Sequence, residues 1–295
     1  MLYMSHSTPQ TVAVFGAAGK VGTRITHKLA DAPEFRLLYV ERGEAGMARL
    51  RARGLTPTTP ADAAAEADMV ILAVPDVAIG AVAADLVPQL RAGTLVMTLD
   101  PAAPFGGELP PRADIAYFVV HPCHPPVIND ETELEAKRDL YGGVKAAQAL
   151  VCALMQGTDD DYARGEALAR AMFAPILRTH RITVAQMAIL EPAMAETVVL
   201  TCMVIMKEAM EEAVARGVPQ EAAFDFLMGH INVNLGILFG YLNTQFSDAA
   251  KLMVTRAKSQ LIQPDWRKVF DDDNLRGQVD AIIGRGKGER DKAAS

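Results

Sequence analysis

The sequence predicts an α/β fold, a doubly wound and mostly parallel sheet, followed by an all-α C-terminal domain built on a long helix. Three observations carry this. Apolar runs of four to seven residues alternate with helical patterns through the first half of the chain. A glycine loop, Gly16 to Gly22, closes the first run and opens the first helical pattern. From Thr183 onward the pattern is helical with few breaks. Short, continuously apolar strands spaced by helices are what a parallel sheet covered on both faces requires.

In order, Thr11 to Phe15 reads as a strand, and the loop GAAGKVG leads into a helix through Ile25, Leu29 and Ala30. Phe35 to Val40 is a second strand, ending in Glu41; Ala61 to Ala67 is an alanine-rich helix. Asp68 to Val74 is a strand stopped by Pro75 and Asp76. A helix around Ile79 to Leu90 leads to the strand Thr94 to Leu99, stopped by Asp100 and Pro101. Ile115 to Val120 ends in HPCHPP, His121 to Pro126. Proline fixes φ and cannot donate a backbone hydrogen bond, so the strand is expected to stop there with two imidazoles on a stiff turn. Gln148 to Met155 reads as a strand, Asp159 to Phe173 as a helix and Ile176 to Ile182 as an edge strand.

The helical half opens with Ala185 to Arg216, apolar at Met187, Leu190, Met194, Val198, Met203 and Met206 among others. A helix of ~30 residues runs ~45 Å. One this apolar is expected in the core of a helical domain or at a dimer interface. Gly217 and Pro219 end it, and helices follow at Ala222 to Phe239, with a break allowed near His230, and Asp248 to Leu261. The charged, glycine-rich tail from Gly284 is expected to be disordered. The division is therefore a nucleotide-binding domain with a sheet extension over 1–182 and a helical substrate and dimerisation domain over 183–295.

Half of the 295 residues are apolar, enough for a sizeable core. A net charge of −7, with no basic stripe, argues against nucleic acid. Three widely spaced cysteines make neither a disulfide framework nor a zinc knuckle and fit a reducing, cytoplasmic compartment. The polar start carries no signal peptide pattern. The longest apolar run, Val198 to Met206, falls short of the ~18–20 residues of a membrane span. No membrane partner is expected.

The glycine loop is the first chemical signal. Gly16 permits a tight turn, Gly19 a close backbone approach to a pyrophosphate, and Gly22 close helix packing; Ala17, Ala18, Lys20 and Val21 complete the loop. The free N–H groups of the helix that follows face the phosphates. The spacing G-x-x-G-x-x-G is weak alone, but Glu41 stands nineteen positions past Gly22 at a strand end. A carboxylate there accepts ribose hydroxyls and repels a 2′-phosphate, which favours NAD, with Arg42 beside it acting in the opposite sense. The bland alternative is an ordinary glycine loop with a solvated Glu41. Val74, Pro75 and Asp76 lie at a strand's carboxyl end and are expected to flank the cofactor. Asp76 and Asp100 equally suit helix N-caps.

Few residues are candidates for chemistry. His121 and His124 stand where ligands collect in an open α/β sheet. Glu191 and Glu196 begin the long helix five positions apart, about 140° apart on an α-helix, unless Pro192 distorts it. Each also suits the positive end of a helix. His230 and the nearby Asn232 are either packing residues or ligand contacts. His6, His27 and His180 fall outside the inferred cleft, and the many methionines read as core filling.

The order of an NAD fold, a sheet extension and a long-helix domain resembles the 6-phosphogluconate and β-hydroxyacid dehydrogenase superfamily. Gly16 to Gly22, His121 to Pro126, MAILEPAMAET (Met187 to Thr197) and FLMGHINV (Phe226 to Val233) resemble its group with a phosphogluconate-dehydrogenase-type C-terminal domain, which includes D-apionate oxidoisomerases. The resemblance covers about Thr11 to Ile283. One departure is that the superfamily's Lys-x-x-Asn pair is replaced by the region of Glu191 and Glu196, so its general-base lysine does not carry over.

The resemblance implies NAD-dependent oxidation of D-apionate at C2, then migration of a hydroxymethyl group from C3 to C2, giving 3-oxoisoapionate. A divalent metal, zinc or similar, suits such a ketol shift. His121 and Glu191 are its expected ligands, brought together by domain closure, with His124 and Glu196 in catalysis and His124, His230 and Asn232 at the substrate. Without a metal, His121 is the general base. Two further functions remain open, a 3-hydroxyacid or semialdehyde dehydrogenase without rearrangement and a non-catalytic NAD-binding sensor.

Overall fold

The computed structural model describes residues 8–285; His6 and the tail beyond Arg285 lie outside them. Seven strands form one sheet: β1 (Gln10–Phe15), β2 (Phe35–Val40), β3 (Met69–Leu72), β4 (Leu95–Thr98), β5 (Ala116–Pro122), β6 (Gln148–Gln156) and β7 (Ile176–Arg181). Their spatial order is β2-β1-β3-β4-β5-β6-β7. Only β5 and β6 pair antiparallel. The winding reverses between β1 and β3, so a crevice opens beyond the carboxyl ends of these strands.

Along each central strand, alternate side chains serve opposite faces. Val12, Val14, Met69, Ile71, Leu95, Met97, Phe118 and Val120 pack with helices α1 (Lys20–Leu29) and α7 (Asp159–Phe173) through residues such as Ile25, Leu29 and Leu168. Ala13, Phe15, Val70, Leu72 and Val96 pack on the other face. Between the two lie α2 (Glu44–Ala52), α3 (Pro60–Glu66), α4 (Asp76–Leu86), α5 (Ala102–Phe105) and α6 (Leu134–Arg138) in chain order. Ala63, Ile79 and Ala103 bring α3, α4 and α5 to the second face.

The first proline of HPCHPP does not end its strand. His121 pairs with Val151 and Pro122 with Leu150, and Cys123 N donates to Ala149 O at 2.9 Å. Backbone N–H groups alternate sides along a strand, so the donor that Pro122 lacks belongs to the opposite edge. There β4 has already ended, its last paired residue Thr98 lying opposite Val119. A proline costs no ladder bond on such an edge.

After β7 the chain is helical from Val184 to Ala215, as expected, but not uniformly α. It comprises α8 (Val184–Ala188), a π-helical stretch Ile189–Leu200 and α9 (Thr201–Ala215). Pro192 lies inside the π stretch. Proline removes an i→i−4 bond, and a shift to i→i+5 bonding is one way a helix accommodates that loss. This 32-residue run, unlike its short contiguous apolar core, is long and apolar enough by composition to cross a membrane. Then come α10 (Gln220–Leu238), unbroken at His230, α11 (Asp248–Leu261) and α12 (Asp272–Ile283).

Two compact units result, one running to Glu191 and resuming at Arg276, the other Pro192–Leu275. The expected boundary at 182/183 differs at both ends. Met187 of α8 is fully buried with Val119, Val151 and Ala153 of the sheet. Val279 and Ile283 of α12 join the core beneath α4 and α5. In the second unit Met194, Leu200, Met203, Val204 and Ile205 are exposed, so of the two expected settings for the long helix a core of its own chain is not the one found.

Helix and sheet approach closely at Gly165 of α7, where a Cβ would lie 2.5 Å from the ring of the fully buried Phe118. Gly165→Ala is expected to lower stability by about 1–3 kcal/mol in urea unfolding, and a second change, Phe118→Leu, to recover part of that loss.

Candidate active site

The glycine loop is built for close approach. Gly16 has φ +86°, and a Cβ there would sit 2.3 Å from Ala73 O, at the end of β3. A Cβ on Gly22 would sit 2.1 Å from Gly16 O, so Gly22 lets α1 pack on its own loop. Helix α1 has no side-chain cap and no acidic residue in its first turn, which leaves its positive end uncompensated and suited to an anion. Ala18 N donates to Glu41 Oε1 at 2.6 Å, which ties the loop to the end of β2. Arg42 is drawn to Asp85 at 2.7 Å in an exposed ion pair.

Three adjoining cavities trace the crevice. One of about 410 Å³ is lined by Gly16, Glu41, Arg42 and Val74. A second, about 380 Å³, is lined by Gly19, Lys20, Val21, Val74, Pro75, Asp76, Leu99 and Asp100. A third, about 170 Å³, shares Val21 and Leu99 with the second and is lined also by His121 and His124. The loop, Glu41 and the β3 end, predicted separately from sequence, are thus gathered along one path. Asp76 occupies the first turn of α4 with Pro75 as its cap, and its carboxyl is pushed up to about 6, chiefly by burial and then by Asp100.

At the far end lies a cluster of Asp100, His121 and Glu191, one ligand-type atom of each within 4.8 Å of the others. Register explains it. Thr98 of β4 lies opposite Val119 of β5, so two residues further Asp100 comes beside His121. Met187 packs against Val119, so one helical turn on from the first and two strand residues on from the second, Glu191 meets His121. His121 Nδ1 lies 2.9 Å from Leu99 O, an acceptor only, so Nδ1 carries the hydrogen and donates. In the neutral ring Nε2 then holds a lone pair, and it faces Glu191 Oε2 at 3.4 Å. Two acceptors so placed repel unless a proton or metal ion lies between them.

Asp100, which suits a helix cap from sequence, stands one residue before the N-cap of α5, Pro101, and faces the cleft. Its Oδ1 accepts from Ala102 N at 2.7 Å, while Oδ2 stands 3.8 Å from His121 Nδ1. Burial pushes its carboxyl above the usual range; the Ala102 hydrogen bond and His121 oppose this, and Glu191 adds to it. Counting residues past the ends of β4 and β5 is the signal that pairs it with His121. Since Glu191 belongs to the same compact unit as His121, no domain closure is needed to bring them together.

His124 has a left-handed backbone, φ 59°, which costs a residue with a Cβ about 1–2 kcal/mol. Its Nδ1 lies 3.0 Å from Tyr141 O, so its Nε2 is likewise the free acceptor in the neutral ring. Glu196, His230 and Asn232 belong to the second unit and are exposed there. His230 is held to its own helix, with Nδ1 2.7 Å from Phe226 O and its ring stacked on Phe226. The 140° separation of Glu191 and Glu196 assumed an α-helix. In the π stretch, residues five apart are about one turn apart.

A crevice of this form, ending in an imidazole set between carboxylates, defines a nucleotide-dependent oxidoreductase. Residues 129–283 match the phosphogluconate dehydrogenase (decarboxylating) C-terminal family, and residues 11–101 the coenzyme F420-dependent NADP oxidoreductase family. A D-apionate oxidoisomerase from Cupriavidus necator is 47% identical over 92% of this chain and 99% of its own. Another from Rhizobium rhizogenes is 47% identical, with 92% and 98% covered. The crystal structure of a semialdehyde dehydrogenase NAD-binding protein from Cupriavidus necator, in complex with calcium and NAD, superposes with a TM-score of 0.90 at 47% identity, covering 92% and 99%. The chain belongs to the D-apionate oxidoisomerase family.

The hydrogen bond to Leu99 O makes a spectroscopic prediction. In ¹⁵N-edited NMR of the neutral ring, His121 should show a protonated Nδ1 and an unprotonated Nε2. The reverse tautomer would mean that Nε2 is not available to a metal ion or a proton.

Proposed function

We propose that this chain is an NAD-dependent oxidoisomerase of D-apionate, converting it to 3-oxoisoapionate. The observation that carries the reading is the lone pair of His121 Nε2 facing the Glu191 carboxylate, with Asp100 alongside, at the end of a dinucleotide crevice. Asp100, His121 and Glu191 would hold a divalent cation. Two carboxylates and one imidazole fit zinc, manganese or a similar ion, and the added oxygen ligand makes calcium, bound by the structural relative, more acceptable. The Nδ1–H bond to Leu99 O is the orienting contact a metal-ligating histidine commonly makes.

When bound, NAD would take up the C2 hydride and the cation would supply Lewis acidity at the carbonyl undergoing the shift. The loop Gly16 to Gly22 and the start of α1 would seat the pyrophosphate. Glu41, although tied to Ala18 through one oxygen, lines the ribose end, where its charge disfavours a 2′-phosphate. Val74, Pro75 and Asp76 would flank the nicotinamide side. Oxidation releases the C2 hydroxyl proton. In the shift, the C3 hydroxyl loses a proton and the oxygen at C2 gains one, so a neutral imidazole that both takes and returns a proton suffices. His124 Nε2 suits that role. Glu196, His230 and Asn232 are held as further substrate or proton contacts.

A second reading, in which His121 is itself the base and no metal is required, rests on the same lone pair. Incubation with NAD⁺ and D-apionate, following NADH and product structure, separates the functions. An unrearranged 2-oxo acid would identify a simple dehydrogenase, and no turnover of any sugar acid a sensor. His121→Ala and Glu191→Ala are expected to lower kcat about 10²–10⁴-fold. Chelation should abolish turnover, with recovery on adding a divalent cation; turnover that survives chelation supports the metal-free reading.

We also infer a cytoplasmic homodimer joined through the helical unit. Met203, Val204 and Ile205 are each more than two-fifths exposed, part of an apolar surface of the kind that marks an interaction site. Glu191 and Glu196, with Lys207 and Glu208, punctuate the run, and each such charge is costly at a bilayer centre. Sedimentation should give a dimer, and Met203→Glu should shift it towards monomer.

A further inference from the structure

The cavity of about 170 Å³ at the end of the crevice contains a cation that none of the roles above employs. Arg24, on α1, lines it together with His121, His124, Tyr141 and Gly143. Arg24 does not line either of the two larger cavities assigned to the dinucleotide. No carboxylate pairs with it among the described residues. Its Nη2 donates to Gly142 O, and its guanidinium carbon lies 4.9 Å from the centre of the Tyr141 ring. These contacts fix the group by one donor and one face. A guanidinium has five donors in a rigid fork, so the rest remain for a ligand.

The loop that holds Arg24 also holds His124. Two successive carbonyls do the work: Tyr141 O receives His124 Nδ1 and Gly142 O receives Arg24. The loop is itself fixed, because Asp139 Oδ2 accepts from the backbone N–H groups of Val144, Lys145 and Ala146. Gly142 has φ +73°, and a Cβ there would lie 2.6 Å from the Gln148 side chain. One rigid loop therefore sets an imidazole and an unpaired guanidinium on the same small cavity, beside His121. At about 170 Å³ the cavity is below the ~300–1,000 Å³ of drug-sized sites, which suits a small acid.

We propose that Arg24 recognises the carboxylate of the substrate, binding it through its free donors and so presenting the adjacent hydroxyl-bearing carbon to His121 and His124. The site would select 2-hydroxy acids over the corresponding aldehydes, alcohols and amides. The identity of the acid as D-apionate rests on the oxidoisomerase reading; the preference for a carboxylate does not.

The test is steady-state kinetics of Arg24→Met and Arg24→Lys with D-apionate and with its neutral amide, varying NAD⁺ separately. Arg24→Met should raise KM for D-apionate about 10- to 100-fold, the range of a charged hydrogen bond. KM for NAD⁺ should not change, and wild type and variant should act alike on the amide. Arg24→Lys should recover part of the loss, since it keeps the charge without the fork. Equal losses on acid and amide would reduce Arg24 to a structural residue, and a raised KM for NAD⁺ would assign it to the pyrophosphate; either overturns the proposal. Should wild type fail to oxidise D-apionate, the oxidoisomerase reading falls, and calorimetry with D-erythronate in the presence of NAD⁺ decides the inference alone. Binding at least tenfold weaker in Arg24→Met upholds it. Equal binding, or none to either protein, overturns it.

Discussion

The hydrogen bond from His121 Nδ1 to Leu99 O is the contact on which the proposed chemistry of this protein depends. It lies just past the last ladder pair of β4 and β5, where the strands no longer hold each other and a side chain takes over the link. In making that link the imidazole commits one nitrogen and frees the other. Rotation of the ring, or the other tautomer, would present an N–H to Glu191 and satisfy the cluster with no ion at all. A bond of modest net strength thus decides whether the site attracts a cation or merely contains a histidine.

Around that bond, the sheet works as a ruler. Register between parallel strands carries Asp100 to one side of His121, and packing of Met187 on Val119 carries Glu191 to the other. Each of the three residues belongs to or follows a different element, and all of them lie within one compact unit with a fully buried apolar core. Partial burial of the three side chains, each about one-fifth exposed, raises the energy of unpaired charge while leaving room for a ligand. The crowding of Asp76, Asp100 and Glu191 at one end of the crevice is unfavourable in the protein alone. Burial is the main cause that pushes the Asp76 and Asp100 carboxyls towards their neutral forms, and the neighbouring carboxylates add to it.

Much of this was legible in the chain. The β1 run, the glycine loop, Glu41, the strand of Phe35 to Val40 and the helix of Asp159 to Phe173 follow directly from period and punctuation. His121 is legible because it stands at the carboxyl end of a strand in an open α/β sheet, where ligands collect. What sequence spacing obscured was geometry that depends on a partner. Pro122 looked like a terminator because the lost donor counts only if that edge is paired, and it is not. Asp100 reads as a cap because one of its oxygens bonds locally, to Ala102 N, whereas the other faces a residue twenty-one positions away. Glu191 and Glu196 looked divergent because an ideal α-helix was assumed through Pro192. Arg24 gave no signal, since the carbonyl that holds it comes from a loop over a hundred residues later.

The long helix inverts the usual meaning of apolar periodicity. A run with Met194, Val199, Leu200, Met203, Val204 and Ile205 reads from sequence as the core of a helical domain or a dimer interface, and within the single chain all six are exposed. Among large apolar side chains of the second unit only Leu275 is buried, and beyond it burial falls on Pro192, Ala193, Ala223 and Gly236. Ion pairs such as Arg216 with Glu212 lie on its surface and contribute little. Helices of this length gain most of their stability from packing of an apolar face. A helical unit of 84 residues (Pro192–Leu275) with so little buried surface lacks the driving force that the first unit has in abundance. The apolar pattern is therefore an instruction to pack that a single chain leaves unfulfilled. In the dimer we propose, a second copy presenting the same face through a two-fold axis would supply the missing core without any new sequence.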